Sequence, residues 1–147
     1  MASQTSPDPL ALPAHVSRGG VQLWAAIALG GAIGTLARFG LAEALSSAAG
    51  SWHWATLIAN VVGAGALGVI VVLLPNPAAN PSRLRAMLAT GVCGGLTTFS
   101  TMQRELLAMI DHGEAGMAIT YAAVSVIVGL AAVLIAVRLS RQVKGQR

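Results

Sequence analysis

The stretch Gly91-Val-Cys-Gly-Gly-Leu-Thr-Thr-Phe-Ser-Thr-Met-Gln-Arg-Glu105 decides how this 147-residue chain is read. It lies inside an apolar segment, yet its fifteen positions hold three glycines, four hydroxyl residues and a carboxylate. Glycine pairs weaken a helix, and Thr and Ser offer the backbone competing hydrogen bonds. The stretch therefore predicts a helix broken near Gly94–Thr97. In lipid such a break persists only where it is buried in protein or lines a wet cavity, so it is the first candidate for function.

Working outward, apolar residues make up 55% of the chain and charged residues 10%, which excludes an ordinary soluble domain. Charge-free runs at Trp54–Leu74, Ala86–Gln103 and Ala115–Val137 reach or approach the length that crosses roughly 30 Å of hydrocarbon. Leu23–Ala37 is a shorter clean run that extends toward Leu45 only by including Arg38 and Glu43. The expectation is an all-α membrane protein with four transmembrane helices, the third broken, occupying residues 21–138. Residues 1–20 carry Pro7, Pro9 and Pro13 and no apolar core, and read as a disordered tail. They lack the apolar core of a secretory signal, so the first span is expected to stay as an anchor. Residues 139–147 read as a basic, solvated C-terminal tail.

The net charge of +4 does not point to nucleic acid, because the basic residues flank apolar runs and form no recognition patch. It reads as a topology signal. Arg18, Arg83, Arg85, Arg138, Arg141, Lys144 and Arg147 share one side of a four-span chain, seven of its nine Lys and Arg residues. Only Arg38 and Arg104 remain for the other side, so the positive-inside rule places both termini in the cytoplasm.

Enzyme chemistry finds no support. His15, His53 and His112 fall in three separate segments outside the spans, and neither a zinc-protease helix, a nucleophile elbow nor a phosphate-loop lysine occurs. The lone Cys93 allows no intrachain disulfide and reads as small packing volume.

The polar residues within the spans are Arg38, Asn60, the Thr/Ser cluster, Tyr121 and Ser125. They are mostly hydrogen-bond donors with one cation, an inventory that suits a small anion shedding its water. Each also has a plainer reading. Arg38 either snorkels to the loop near Ser46 or serves a buried anion. Asn60 either glues helices together or meets a permeating species. Tyr121 is an interfacial anchor or, with Ser125 and Gly129 on its face, part of a polar track.

Past the break, Phe99 and Met102 are three apart and share a face, beside a polar stripe of Thr98, Thr101 and Glu105. An aromatic ring has a positive edge that can touch an anion, and freed backbone carbonyls are ligands for hard cations. Plain packing is the alternative for Phe99 and Met102.

Three motifs together resemble the Fluc (CrcB) family of fluoride channels. They are Gly30-Gly31-x-x-Gly34-x-x-x-Arg38-Phe39, Thr56-Leu-x-x-Asn60-x-x-Gly63, and Gly94-Gly95-x-Thr97-Thr98-Phe99-Ser100-Thr101 with Glu105. Tyr121 and Ser125 complete the match, which runs from about Gly30 to Gly129. The resemblance implies a passive channel of the bacterial plasma membrane that lets cytoplasmic fluoride escape. It implies an antiparallel dimer with two pores and a structural, untransported Na+ at its centre, held by the backbone carbonyls of Gly94 and Thr97. It also implies pore roles for Asn60, Phe99, Met102, Tyr121 and Ser125, with Thr98, Thr101 and Glu105 as a polar track.

The chain departs from the family in two places. Met102 replaces a second phenylalanine, and a thioether lacks a ring quadrupole, so anion contact is expected to weaken there. The seven-to-two charge bias differs from the near balance of subunits that insert both ways. It suggests pairing with an oppositely oriented homologue, in which this chain is a conducting or a supporting subunit. A proton-coupled four-helix multidrug exporter is the alternative class. It needs a titratable carboxylate deep in the membrane, whereas Glu43 and Glu105 read as lying toward span ends.

Overall fold

The computed structural model describes residues 18–48, 50–74 and 82–145, and all regular elements among them are helical. The expected tail over residues 1–17, the proline-rich turn over residues 75–81 and Arg147 lie outside the described residues.

Helix α1 spans Arg18–Ala44 and α2 spans Trp54–Leu73. A three-residue helix α3, Arg83–Arg85, is capped by the Ser82 hydroxyl, which accepts the Arg85 N–H. A π-helical stretch, Ala86–Cys93, and a second three-residue helix α4, Gly94–Leu96, follow. Helix α5 is Phe99–Asp111 and α6 is Ala115–Gly145. Gly113, at φ 81°, takes the left-handed conformation that the turn between α5 and α6 requires.

Among the described residues, three helices are long and apolar enough to cross a membrane. They are Gly20–Ala44 within α1, together with α2 and α6, at mean hydropathies of 1.5, 2.3 and 2.5. The expected third span is a series of short pieces over residues 83–111. Its interruption lies at the end of the predicted window and one residue beyond, where Thr97 (ψ 148°) and Thr98 (φ −149°, ψ 120°) are extended. Gly94 and Gly95 are themselves helical. The hydroxyl residues hold the break, while Gly95 serves packing just before it and Gly94 stands exposed.

That packing is backbone on backbone. A Cβ at Gly30 would lie 2.2 Å from the Met87 carbonyl oxygen, at Gly34 2.2 Å from that of Val92, and at Gly95 2.4 Å from that of Gly31. Gly91 is equally enclosed, its Cβ position 2.7 Å from the Ile27 carbonyl oxygen. The π-helical stretch was not legible from sequence; such stretches adjust register locally and are frequent at functional sites.

A core of Leu57, Met102, Met109, Ala118 and Tyr121 closes the end near the α1–α2 loop. Trp52 covers it, edge-on to Tyr121 at 5.2 Å. At the opposite end α6 runs straight through to Gly145, so the described part of the expected C-terminal tail is helix. There Lys144 donates to the Val72 carbonyl at 3.2 Å and the Arg85 guanidinium to that of Leu74. Both cations sit at the C-terminus of α2, where free carbonyls and the helix dipole favour positive charge.

Candidate functional site

Asn60 lies two turns into α2, opposite the interruption. Its Nδ2 donates to the Thr98 carbonyl at 3.2 Å, and its Oδ1 accepts the Thr98 N–H at 2.8 Å. The amide acts as a one-residue strand partner for extended backbone. Of the two readings of Asn60, gluing is realised directly; one amide proton remains after that bond.

The pairing has a consequence on the preceding turn. In a continuous helix the Gly94 carbonyl would accept the Thr98 N–H, and the Thr97 carbonyl would accept the Thr101 N–H. The first N–H goes to Asn60 and the second to the Thr98 hydroxyl, at 3.2 Å. Both carbonyls thus lose their helical donors. Thr97 ties itself back instead, its N–H and hydroxyl donating to the Cys93 carbonyl at 3.0 and 2.9 Å. Gly94 is exposed, and a Cβ there would meet nothing within 4 Å. Uncharged carbonyl oxygens freed of their helical donors are a donor set that fits a hard cation such as sodium.

Arg38 braces the same turn from α1, donating from Nε to the Gly95 carbonyl at 3.2 Å. It also lines a cavity of about 110 Å³ with Ser46 and Ser47, so it reaches the loop while holding the break.

A groove of about 460 Å³ opens beside the interruption, lined by Asn60, Thr98, Phe99, Ser125 and Gly129 among others. Phe99 is 68% exposed in it. The Ser125 hydroxyl is buried without a hydrogen-bond partner. Met102 stands elsewhere: it is 8% exposed and packed in the core with Leu57 and Tyr121. The expectation that Phe99 and Met102 share a face is therefore not met in the single chain. The offset of roughly 60° between positions three apart on a helix is enough to turn one ring outward and the thioether inward.

Below the groove, Thr98 donates its hydroxyl to Thr101 at 3.0 Å, and the stripe continues to Glu105. The Glu105 carboxylate accepts the Thr56 hydroxyl at Oε1 and the Tyr121 hydroxyl at Oε2, the latter at 2.8 Å. Tyr121 is fully buried, so its ring belongs to the core while its hydroxyl positions the acid. It does not line the groove with Ser125.

Two participants received no role from the sequence. Thr56 opens the second motif, one turn before Asn60, and that spacing was the available signal. His53 comes three residues earlier still, with Nδ1 3.9 Å from Glu105 Oε1, but it precedes the helix and shows no pattern of its own.

The chain's likenesses bear on what this arrangement serves. Residues 25–137 match the family described as "CrcB-like protein, Camphor Resistance (CrcB)". The chain belongs to the CrcB family. A relative from Mycobacterium bovis named "Fluoride-specific ion channel FluC 1" is 45% identical over 84% of this chain and 93% of its own length. One from Mycolicibacterium paratuberculosis with the same name is 43% identical over the same shares. A "Fluoride-specific ion channel FluC" from Thermus thermophilus is 37% identical over 86% of this chain and 99% of its own. These relatives are channels and not enzymes, and the apolar helices make this CrcB chain a multi-pass membrane protein.

Proposed function

We propose that this chain is a subunit of a fluoride channel that lets fluoride leave the cytoplasm passively and lowers its concentration there. The groove beside the break carries the reading, because an exposed phenyl ring, a side-chain amide and an unpartnered buried hydroxyl converge on it. An anion entering an apolar span must exchange its water for other donors. Asn60 keeps one amide N–H for this, Ser125 a hydroxyl, and Phe99 the positive edge of its ring. Neutral donors bind a small anion while still letting it leave. The names of the relatives select fluoride among small anions.

Residues 83–111 serve in this reading as a fourth crossing, with Thr98, Thr101 and Glu105 as a polar track along it. The groove and Gly94 are open on one side of the single chain, which suits closure by an antiparallel second copy or an oppositely oriented homologue. At the centre of such a dimer the carbonyls of Gly94 and Thr97 would hold a sodium ion, whose positive charge would fix the break without being transported.

The charge distribution favours the homologue. The basic end of the chain is tied into the fold through Arg85 and Lys144 on α2, which supports one-way insertion into the bacterial plasma membrane with cytoplasmic termini. Reporter fusions at the C-terminus check this: equal populations on both membrane faces would overturn it.

Fluoride efflux from liposomes holding the purified chain tests the function. Rapid efflux without a coupling ion, and without comparable chloride flux, is expected. Absence of flux both with and without a co-expressed homologue would refute it.

A further inference from the structure

The groove and the track leave one group unused, the imidazole that precedes α2. His53 has φ −98° and ψ 88° and gives α2 no side-chain cap. Its side chain is 17% exposed, against 12% for that of Glu105, 3.9 Å away. The other ring nitrogen, Nε2, is buried and makes no hydrogen bond. Buried polar atoms are ordinarily paired, so neither capping nor core packing accounts for a histidine here. His53 lines both cavities that meet at Glu105. One, of about 110 Å³, is shared with Arg38, Thr98 and Thr101, and the other, of about 340 Å³, with Arg104.

We propose that His53 sets the charge at this end of the anion path, so that its protonation raises fluoride conduction. The inference rests on the channel reading. The titratable and charged groups around the ring are Arg38 from α1, Arg104 and Glu105 from α5, and Tyr121 from α6, whose ring centre is 6.5 Å away. Glu105 is the one acid of this set. Thr56 and Tyr121 both donate to this carboxylate, so its negative charge is held on the track. An imidazolium at His53 pairs with that charge and, with the two arginines, turns the local potential positive. A positive cleft concentrates anions and speeds their entry. Histidine changes charge between about pH 5 and about pH 8, so the setting falls in the range a bacterium meets.

The test is fluoride efflux from liposomes holding the full chain, with a homologous partner added if the chain alone does not conduct. Flux is compared between about pH 5.5 and about pH 8, each corrected for the leak of empty liposomes. A rise of about tenfold toward acid is expected, the low end of what focusing by charge delivers. His53→Asn should reduce the acid-to-alkaline ratio to below about twofold, as should Glu105→Gln, while His112→Asn should keep it. His53→Gln takes the place of the asparagine variant if that one does not purify as folded protein. A ratio near unity in the unmodified chain, or a rise that survives removal of the imidazole, overturns the inference and leaves the channel standing. Absence of fluoride flux at every pH, with and without a partner, overturns the channel reading itself.

Discussion

The carboxamide of Asn60 bonds both backbone polar groups of Thr98, at 3.2 Å to the carbonyl and 2.8 Å from the N–H. Through that pair, a side chain of one helix maintains the interruption in another. Asn60→Leu leaves two backbone groups unpaired and should cost about 3 kcal/mol, at about 1–3 kcal/mol for each abandoned group. Thermal unfolding followed by gel filtration in detergent should show the loss. Fluoride efflux should fall more than about tenfold, because the groove loses an anion donor as well.

The glycines of α1 differ sharply in what they tolerate. A Cβ at Gly34 would meet the Val92 carbonyl oxygen at 2.2 Å, whereas at Gly40 it would meet nothing within 4 Å. Gly34→Ala should abolish monodisperse protein. Gly40→Ala should leave the elution profile unchanged and stabilise the helix by up to about 1 kcal/mol.

Phe99 and Met102 should fail in opposite ways. Met102→Ala removes a buried thioether from beside Tyr121 and should cost about 2–5 kcal/mol, read as a lower melting temperature. Phe99→Ile changes a ring that is 68% exposed, so stability should barely move. Efflux by that variant should nevertheless drop by about tenfold or more, for want of a ring edge.

Thr56 and Tyr121 hold the two oxygens of one carboxylate, so their contributions should not add. In a double-mutant cycle of Thr56→Val and Tyr121→Phe, a coupling of about 0.5–3 kcal/mol is expected in unfolding free energy. Strict additivity would show that the Glu105 cluster is not a unit.

The sodium site proposed at the freed carbonyls of Gly94 and Thr97 predicts a cation requirement. Protein purified and assayed with an organic cation in place of sodium should lose most fluoride flux, and added sodium should restore it. Magnesium, which demands near-octahedral ligation and sheds water reluctantly, should not substitute.

Much of this was legible from residue types. Of the four apolar runs three became the long helices, and Gly94-Gly95 with the hydroxyls beside it pointed to a break over Gly94–Thr97, of which Thr97 alone is extended. Both are local properties of composition and spacing. The π-helical stretch Ala86–Cys93 was hidden because nothing in its side chains demands it; it lies where α1 packs backbone to backbone against it. The separation of Phe99 from Met102 was hidden for a related reason. Spacing says that two residues are neighbours on a helix, but the helix's rotation against α2 and α6 decides which one is covered. His53 was invisible because its role depends on Glu105, an acid distant in sequence and 3.9 Å away in space.

The close seating of Gly30, Gly34 and Gly95 against the backbone opposite has a consequence for the turn it supports. With Arg38 holding the Gly95 carbonyl as well, one flank of that turn is clamped while Gly94 on the other stays bare. The entropy of ordering the neighbouring Gly94 and Thr97 carbonyls is therefore lost during folding, ahead of any binding of the proposed sodium ion. A preorganised frame of this kind lets weak, uncharged ligands hold an ion they could not gather from a flexible loop.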